Sequence, residues 1–227
     1  MEFGDLHEWG LTVAQARALQ DGLAARVRLR PLPARIRLVA GADVAFPSRQ
    51  SVVAAVVVLA LPELGLVETV TVHRPCPFPY VPGLLSMREG PSLVDAFRQL
   101  RSRPDAVIFD GQGIAHPRRV GLASHIGLWL GLPTVGCAKS RLLGEHAEPG
   151  QERGESAALL VDGEQVGVVL RTRTGVRPVY VSPGHLADVT SARQLVLQCC
   201  TRYRLPEPTR LADQEAGHAS EQRRLGR

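Results

Sequence analysis

The chain has 227 residues, 44% hydrophobic and 22% charged, proportions of a soluble globular protein that exclude collagen-like and wholly disordered classes. Its 27 basic residues outnumber its 22 acidic ones, and all the basic ones except Lys139 are arginine. Asparagine is absent and isoleucine occurs only at positions 36, 108, 114 and 126, a bias expected of a GC-rich genome that drifts lysine to arginine. A guanidinium replaces an ammonium where a solvated charge suffices, but not where a compact or titratable amine is needed. The one surviving lysine therefore marks a position of interest.

The net charge of +5 is compatible with a polyanionic partner without requiring one. The longest apolar run, residues 52–61, is too short to span a bilayer and stops at Pro62. The first residues carry Glu2, Asp5 and Glu8 with no apolar signal-peptide core. Cys76, Cys137, Cys199 and Cys200 show no CxxC pair and no zinc-like spacing. Reduced thiols in a cytoplasmic protein with no membrane segment are expected.

In chain order, residues 9–29 carry apolar side chains at helical spacing (Leu11, Val13, Ala16, Leu19, Leu23, Val27), with Thr12 as a candidate N-cap. Three β-rich segments follow at 36–46, 52–60 and 66–73, joined by short turn-like connections that predict an antiparallel meander. Residues 74–83 hold prolines at 75, 77, 79 and 82, which forbid regular structure and stiffen the backbone. Residues 84–103 read as a helix interrupted near Gly90-Pro91. The wholly apolar segment 106–109 reads as a strand buried on both faces, the helical segment 119–130 as a crossover, and 134–138 as a second parallel strand. Further strands are predicted at 157–161, 165–170 and 179–181, and a helix at 188–204. From Gln214 the chain is polar without an apolar period. The expectation is one mixed α/β domain over 1–213 and a flexible polar tail over 214–227.

Asp43 lies inside an apolar strand, sharing a face with Gly41 and Ala45. A carboxylate there is costly unless it is paired, hydrogen-bonded or bound to a metal. Asp110 ends a second apolar strand and opens Gly111-Gln112-Gly113, where the backbone can approach a ligand closely. Ligands bind at the C-terminal ends of strands in α/β sheets, and two such aspartates can share a hard cation. Glu89 follows the proline-stiffened loop, where the simpler reading is a solvated helix face. His116 lies beside that glycine turn, placed to shuttle a proton or touch a phosphate, though a surface histidine is commoner. Arg118 and Arg119 precede a helix, a favourable place for anions. His125, within an apolar helix, reads as a packing histidine, and Phe46 and Phe78 as core. Lys139 emerges from the strand 134–138. With Asp43 and Asp110 it predicts two metal ligands and an amine near a scissile phosphate. No P-loop, nucleophile elbow or HExxH zinc motif occurs.

Five stretches in order carry a resemblance. They are Gly41-Ala42-Asp43-Val44, residues 78–89 (FPYVPGLLSMRE), residues 109–119 (FDGQGIAHPRR), residues 133–139 (PTVGCAK) and residues 203–213 (YRLPEPTRLAD). Together they resemble the endonuclease V family, the deoxyinosine-directed nucleases of DNA repair (deoxyribonuclease V activity). The resemblance implies a ribonuclease H-like fold, an antiparallel meander followed by parallel strands, flanked by helices. It implies Mg²⁺-dependent hydrolysis, with Mn²⁺ as a substitute, of the second phosphodiester bond 3′ to the lesion, leaving 3′-hydroxyl and 5′-phosphate ends. Asp43, Glu89 and Asp110 match the acidic metal positions, and Lys139 and His116 match positions of catalysis or phosphate contact. Asp213 stands in the last motif, where some members carry His and others Asp, and is a further candidate for the metal site. Pro79, Tyr80, Val81 and Pro82 match the family's DNA wedge, a stiff backbone presenting one aromatic at a lesion while the base swings out. Gly83, Leu85, Gly111 and Gly136 are expected around the lesion pocket, with Arg118 and Arg119 on phosphates. The expected partner is DNA containing deoxyinosine or other deaminated bases, bound by a monomer. Inosine-containing RNA as substrate, and a lesion binder that does not cut, are the alternatives.

Overall fold

The computed structural model describes residues 3–225. Helix α1 (Val13–Ala24) starts at a capping box. The Thr12 side chain accepts from the Gln15 N–H while the Gln15 side chain accepts from the Thr12 N–H. The helix is shorter than its apolar period suggests, ending at Ala24. Strands β1 (Leu38–Ser48), β2 (Ser51–Ala60) and β3 (Gly65–Pro75) form the expected antiparallel meander.

Helix α2 (Leu85–Gln99) runs unbroken through Gly90-Pro91, correcting the predicted interruption. A side chain at Gly90 would strike the Trp9 ring, so this glycine admits a neighbour and does not end the helix. Pro91 sits well inside the helix, and its carbonyl accepts from Arg74 Nη1 at 3.2 Å.

Next come β4 (Ala106–Phe109), α3 (Leu122–Leu130) and β5 (Thr134–Ala138). Strand β4 is parallel to both β1 and β5, as a βαβ crossover requires. Strands β6 (Ser156–Val161), β7 (Glu164–Leu170) and β8 (Val179–Pro183) extend the sheet antiparallel from β5. The eight strands take the order β3-β2-β1-β4-β5-β8-β7-β6. Helices α4 (Val189–Cys199) and α5 (Glu207–Leu225) complete the chain.

Helix α5 overturns the expected loose tail over residues 214–225; the last two residues of that expectation lie outside the described residues. Ala212, Ala216 and Ser220 are buried along one side of it. Small side chains at that spacing make a helical stripe that carries little hydrophobic signal. Gly41 explains why they suffice: a Cβ there would run into the Pro208 carbonyl, so β1 admits the start of α5 at backbone contact.

Two cores sandwich the sheet. Val39, Val57, Ile108, Val135 and Cys137 pack with α4 and α5 on one face. Ala40, Val56, Val58, Val107 and Phe109 pack with α2 and α3 on the other. Strands β4 and β5 are buried throughout. Among the described residues no helix is long and apolar enough to cross a membrane.

Candidate active site

Strand alternation places the charged groups. Side chains two apart share a face, so Asp43 follows Val39 and Gly41, Asp110 follows Ile108, and Lys139 follows Cys137, all toward the α4/α5 side. The register sets Ala42 opposite Phe109 and Phe109 opposite Gly136. Asp43 and Asp110 therefore stand level on neighbouring strands, and Lys139 emerges just beyond. Its Nζ reaches back to Asp110 Oδ2 at 2.5 Å. Glu89 comes from α2 on the opposite face and is only 7% exposed, against the solvated-face reading. Asp213 arrives on α5, brought close by the Gly41–Pro208 contact.

The electrostatics show these groups converging. Burial pushes the Asp43 carboxyl up to about 8, helped by the Asp110 charge and by a hydrogen bond with Asp213, against the Val44 N–H and Lys139. Burial likewise raises Glu89 well above the usual carboxylate range, with Asp43 and Asp110 adding to it. For Lys139 burial opposes the charge, but Asp110, Asp43 and Asp213 outweigh it and hold the ammonium above its ordinary value. Four acids and one amine thus share a single field.

Among the described residues no three His, Cys, Asp or Glu side chains stand close enough to enclose a metal ion unaided. The all-oxygen donor set fits a hard divalent cation, which takes one or two carboxylates and completes its shell with waters and phosphate oxygens. The repulsion that lifts Asp43 and Glu89 is what such a cation would relieve.

A cavity of about 360 Å³ opens beside the acids. Its walls include Tyr80, Val81, Pro82, Gly83 and Leu85 on one side and Asp110, Gly111 and Lys139 on the other. Tyr80 is 72% exposed at its rim. The loop beneath it is anchored: Phe78, Leu84 and Met87 are buried with Ala16, and Val81 packs against them. Arg88 Nη1 donates to the Phe78 carbonyl at 2.6 Å. Phe46 is not core; it is half-buried with the Arg88 guanidinium 4.4 Å above its ring.

Other expected residues land differently. Gly136 does not line the cavity. A Cβ on it would meet the Gly111 carbonyl at 2.5 Å and the Gly113 nitrogen at 2.5 Å, so it lets the glycine turn lie flat against β5. His116 donates from Nε2 to the Gly83 carbonyl at 2.9 Å and accepts at Nδ1 from the Arg118 N–H at 3.2 Å. Burial lowers its pKa to about 4, which favours the neutral ring that these two hydrogen bonds require. The Arg118 guanidinium is engaged with the Gly83 carbonyl and Gln20 Oε1, at 2.9 and 2.7 Å. Arg119 pairs with Glu164 at 2.8 Å. Both guanidinia face protein partners. His125 is fully buried as expected, bonded to Ser86 and His7.

Sequence reasoning missed Gln20, Ser86 and Gln112 in the cavity wall. Gln20 is a buried amide on the first helix, among apolar neighbours at the same spacing. That polar interruption was the available signal. The Gln112 amide nitrogen donates to the Ser140 carbonyl at 3.1 Å, leaving its buried oxygen without a partner.

A meander joined to parallel strands, with carboxylates on adjacent strands β1 and β4, defines a nuclease of the ribonuclease H-like class. Within it, the endonuclease V family model matches residues 21–214. Endonuclease V of Nostoc punctiforme is 47% identical over 218 residues, 95% of this chain and 99% of the relative. The crystal structure of the Streptomyces avermitilis endonuclease V superposes with a TM-score of 0.90 at 43% identity, covering 94% of this chain and 95% of that one. The Ciona intestinalis endonuclease V, solved with DNA containing an inosine followed by a ribo-adenosine, gives 0.82 at 25% identity, covering 92% and 98%. The chain belongs to the endonuclease V family.

Proposed function

We propose that the chain is a Mg²⁺-dependent endonuclease, with Mn²⁺ able to substitute, that nicks DNA at deoxyinosine and related deaminated bases. It hydrolyses the second phosphodiester bond 3′ to the lesion and leaves 3′-hydroxyl and 5′-phosphate ends. The observation that carries this reading is the cavity itself, bounded by an exposed tyrosine on a proline-stiffened loop and, opposite, by Asp110 and Lys139. Base capture and phosphate chemistry then share one chamber.

Tyr80, flanked by Pro79 and Pro82, enters the stack at little ordering cost, because the backbone carrying it is already stiff. The displaced base is read in the cavity by main-chain groups at Gly83 and Gly111 and by contact with Leu85. Hydrogen bonding by His116 and Arg118 to the Gly83 carbonyl keeps that wall in place. Asp43 and Asp110 would hold the cation, with Glu89 and Asp213 completing its surroundings. Bound there, the cation supplies Lewis-acid stabilisation of phosphate charge and a more acidic water. Lys139 presents a compact positive charge to the phosphate as negative charge develops.

The four cysteines are free and buried, which supports a reducing, cytoplasmic setting, and the protein is taken to act as a monomer. The ribo-adenosine in the Ciona complex supports one second reading, in which inosine-containing RNA is also cut. The test is incubation of purified protein with labelled DNA duplexes and RNA strands, each with and without one inosine, in Mg²⁺ or EDTA. A nick that needs both inosine and Mg²⁺ is expected. Equal cutting of inosine-free strands, or none in Mg²⁺, would overturn the proposal.

A further inference from the structure

The charge of this protein is not spread evenly. Residues 26–37 contain Arg26, Arg28, Arg30, Arg35 and Arg37 and no acidic residue, so the rest of the chain is balanced, 22 basic against 22 acidic. The whole net charge of +5 therefore resides in one 12-residue stretch.

The fold displays that stretch. All five arginines are exposed, and none takes part in an ion pair among the described residues. The backbone is pinned: Leu186 N–H donates to the Arg28 carbonyl at 2.7 Å, Arg30 N–H to the Ala187 carbonyl at 3.3 Å, and Leu32 N–H to Ser191 Oγ at 3.0 Å. Val27 and Leu32 turn inward onto apolar clusters, leaving the residues between them outward. Arg26, Arg28 and Arg30 alternate with Val27 and Leu29 in a segment that belongs to no helix or strand. After burial, these three charges are what lower the pKa of His185. Bordering carboxylates are already engaged with backbone N–H groups, Asp105 at Arg37 and Leu38, Asp188 at Ser191. Exposed Gln194 and Gln198 of α4 line a groove beside Arg35.

The location is informative. Leu38 and Asp105 open β1 and β4, and Ala187 follows β8, so the strip lies along the edge of the sheet opposite the ends that carry Asp110 and Lys139. From Leu38 to Asp43 the strand alone covers roughly 17 Å.

We infer that residues 26–37 form a second nucleic-acid surface, which holds undamaged duplex through its phosphates while the opposite edge examines and cuts. Five exposed guanidinia on a pinned backbone, with amide donors beside them, match a sugar–phosphate backbone. The inference rests on the DNA-directed reading above, which supplies the polyanion.

The test compares wild type, a variant with all five arginines replaced by Gln, and one with all five replaced by Lys. Binding of a long lesion-free duplex is measured across a salt series, alongside nicking of a short inosine duplex that the catalytic edge spans alone. Each lost phosphate contact flattens the log–log salt slope by about 0.9, so the Gln variant should be shallower by about 2 to 4. The Lys variant should keep the wild-type slope, and kcat/KM on the short duplex should stay within about twofold in both variants. An unchanged slope in the Gln variant would overturn the inference. So would a parallel fall in kcat/KM on the short duplex, which would mark a general charge effect. Failure of the wild type to nick inosine DNA would strike the proposed function and leave the slope comparison readable.

Discussion

Lys139 Nζ lies 2.5 Å from Asp110 Oδ2, tying the ends of the two central parallel strands together across the candidate site. In a chain whose other basic residues are all arginine, this pair uses the compact ammonium. A guanidinium is broader and planar, and distributes its charge over a fork. Lys139→Arg should cut inosine DNA at least about tenfold more slowly while binding it as before, a loss of about 1.4 kcal/mol or more in transition-state stabilisation. Single-turnover kinetics beside a binding titration separates the two; full activity would reduce the lysine count to codon usage.

The acids are held at a cost to the fold. An acid whose folded pKa lies above its unfolded value keeps its proton more tightly when folded. The associated stability is full below the unfolded pKa and is lost as pH rises through the folded one. For Asp43, raised from 3.8 to about 8, metal-free protein should therefore weaken as pH climbs from about 4 to 8. Asp43→Asn should make that slope shallower, leaving the share that the raised Glu89 carboxyl contributes, and raise the melting temperature at pH 8 by about 2–4 °C, while abolishing cutting. Thermal melts in EDTA across pH decide it; an unaltered pH slope in the variant would contradict the account.

Tyr80 is exposed and packs little, so its removal should leave the fold within about 0.5 kcal/mol of wild type. Stacking lost at the lesion is worth on the order of 1–3 kcal/mol per base. Tyr80→Ala should therefore lose about tenfold in preference for inosine over matched duplex, with an intact response to Mg²⁺. Wild-type discrimination in the variant would remove the wedge role.

Gly41 and Pro208 meet at backbone contact, and through that contact α5 brings Asp213 to Asp43. Gly41→Ala should destabilise the protein by about 1–3 kcal/mol or more, as overpacking does, and should lower activity further than its melting point explains. Denaturant unfolding together with kcat measurement tests both halves.

Much of this site was legible because polarity inside an apolar strand is conspicuous. Asp43, Asp110 and Lys139 stood out by position, and strand alternation alone assigned them one face. The meander and the β4–α3–β5 crossover followed from apolar runs and short connections. Helix α5 was not legible, because Ala212, Ala216 and Ser220 bury small side chains against a glycine and carry no hydrophobic period. Gly90-Pro91 misled for a related reason: the glycine makes room for Trp9, a contact between segments far apart in sequence. Gly136, Arg118 and Arg119 were recognisable as motif residues, yet only the fold shows Arg118 holding the Gly83 wall, Gly136 seating the glycine turn and Arg119 paired with Glu164.

The central claim is that the β1 and β4 carboxylates cut DNA at a distance fixed by a base held in the adjoining cavity. Mapping the nick at nucleotide resolution on a single-inosine duplex in Mg²⁺, for wild type beside Asp110→Ala, tests it most directly. The account predicts one cut, at the second phosphodiester bond 3′ to inosine, and binding without any cut in the variant. Cuts scattered without reference to the inosine, or an Asp110→Ala protein that still nicks, would contradict it.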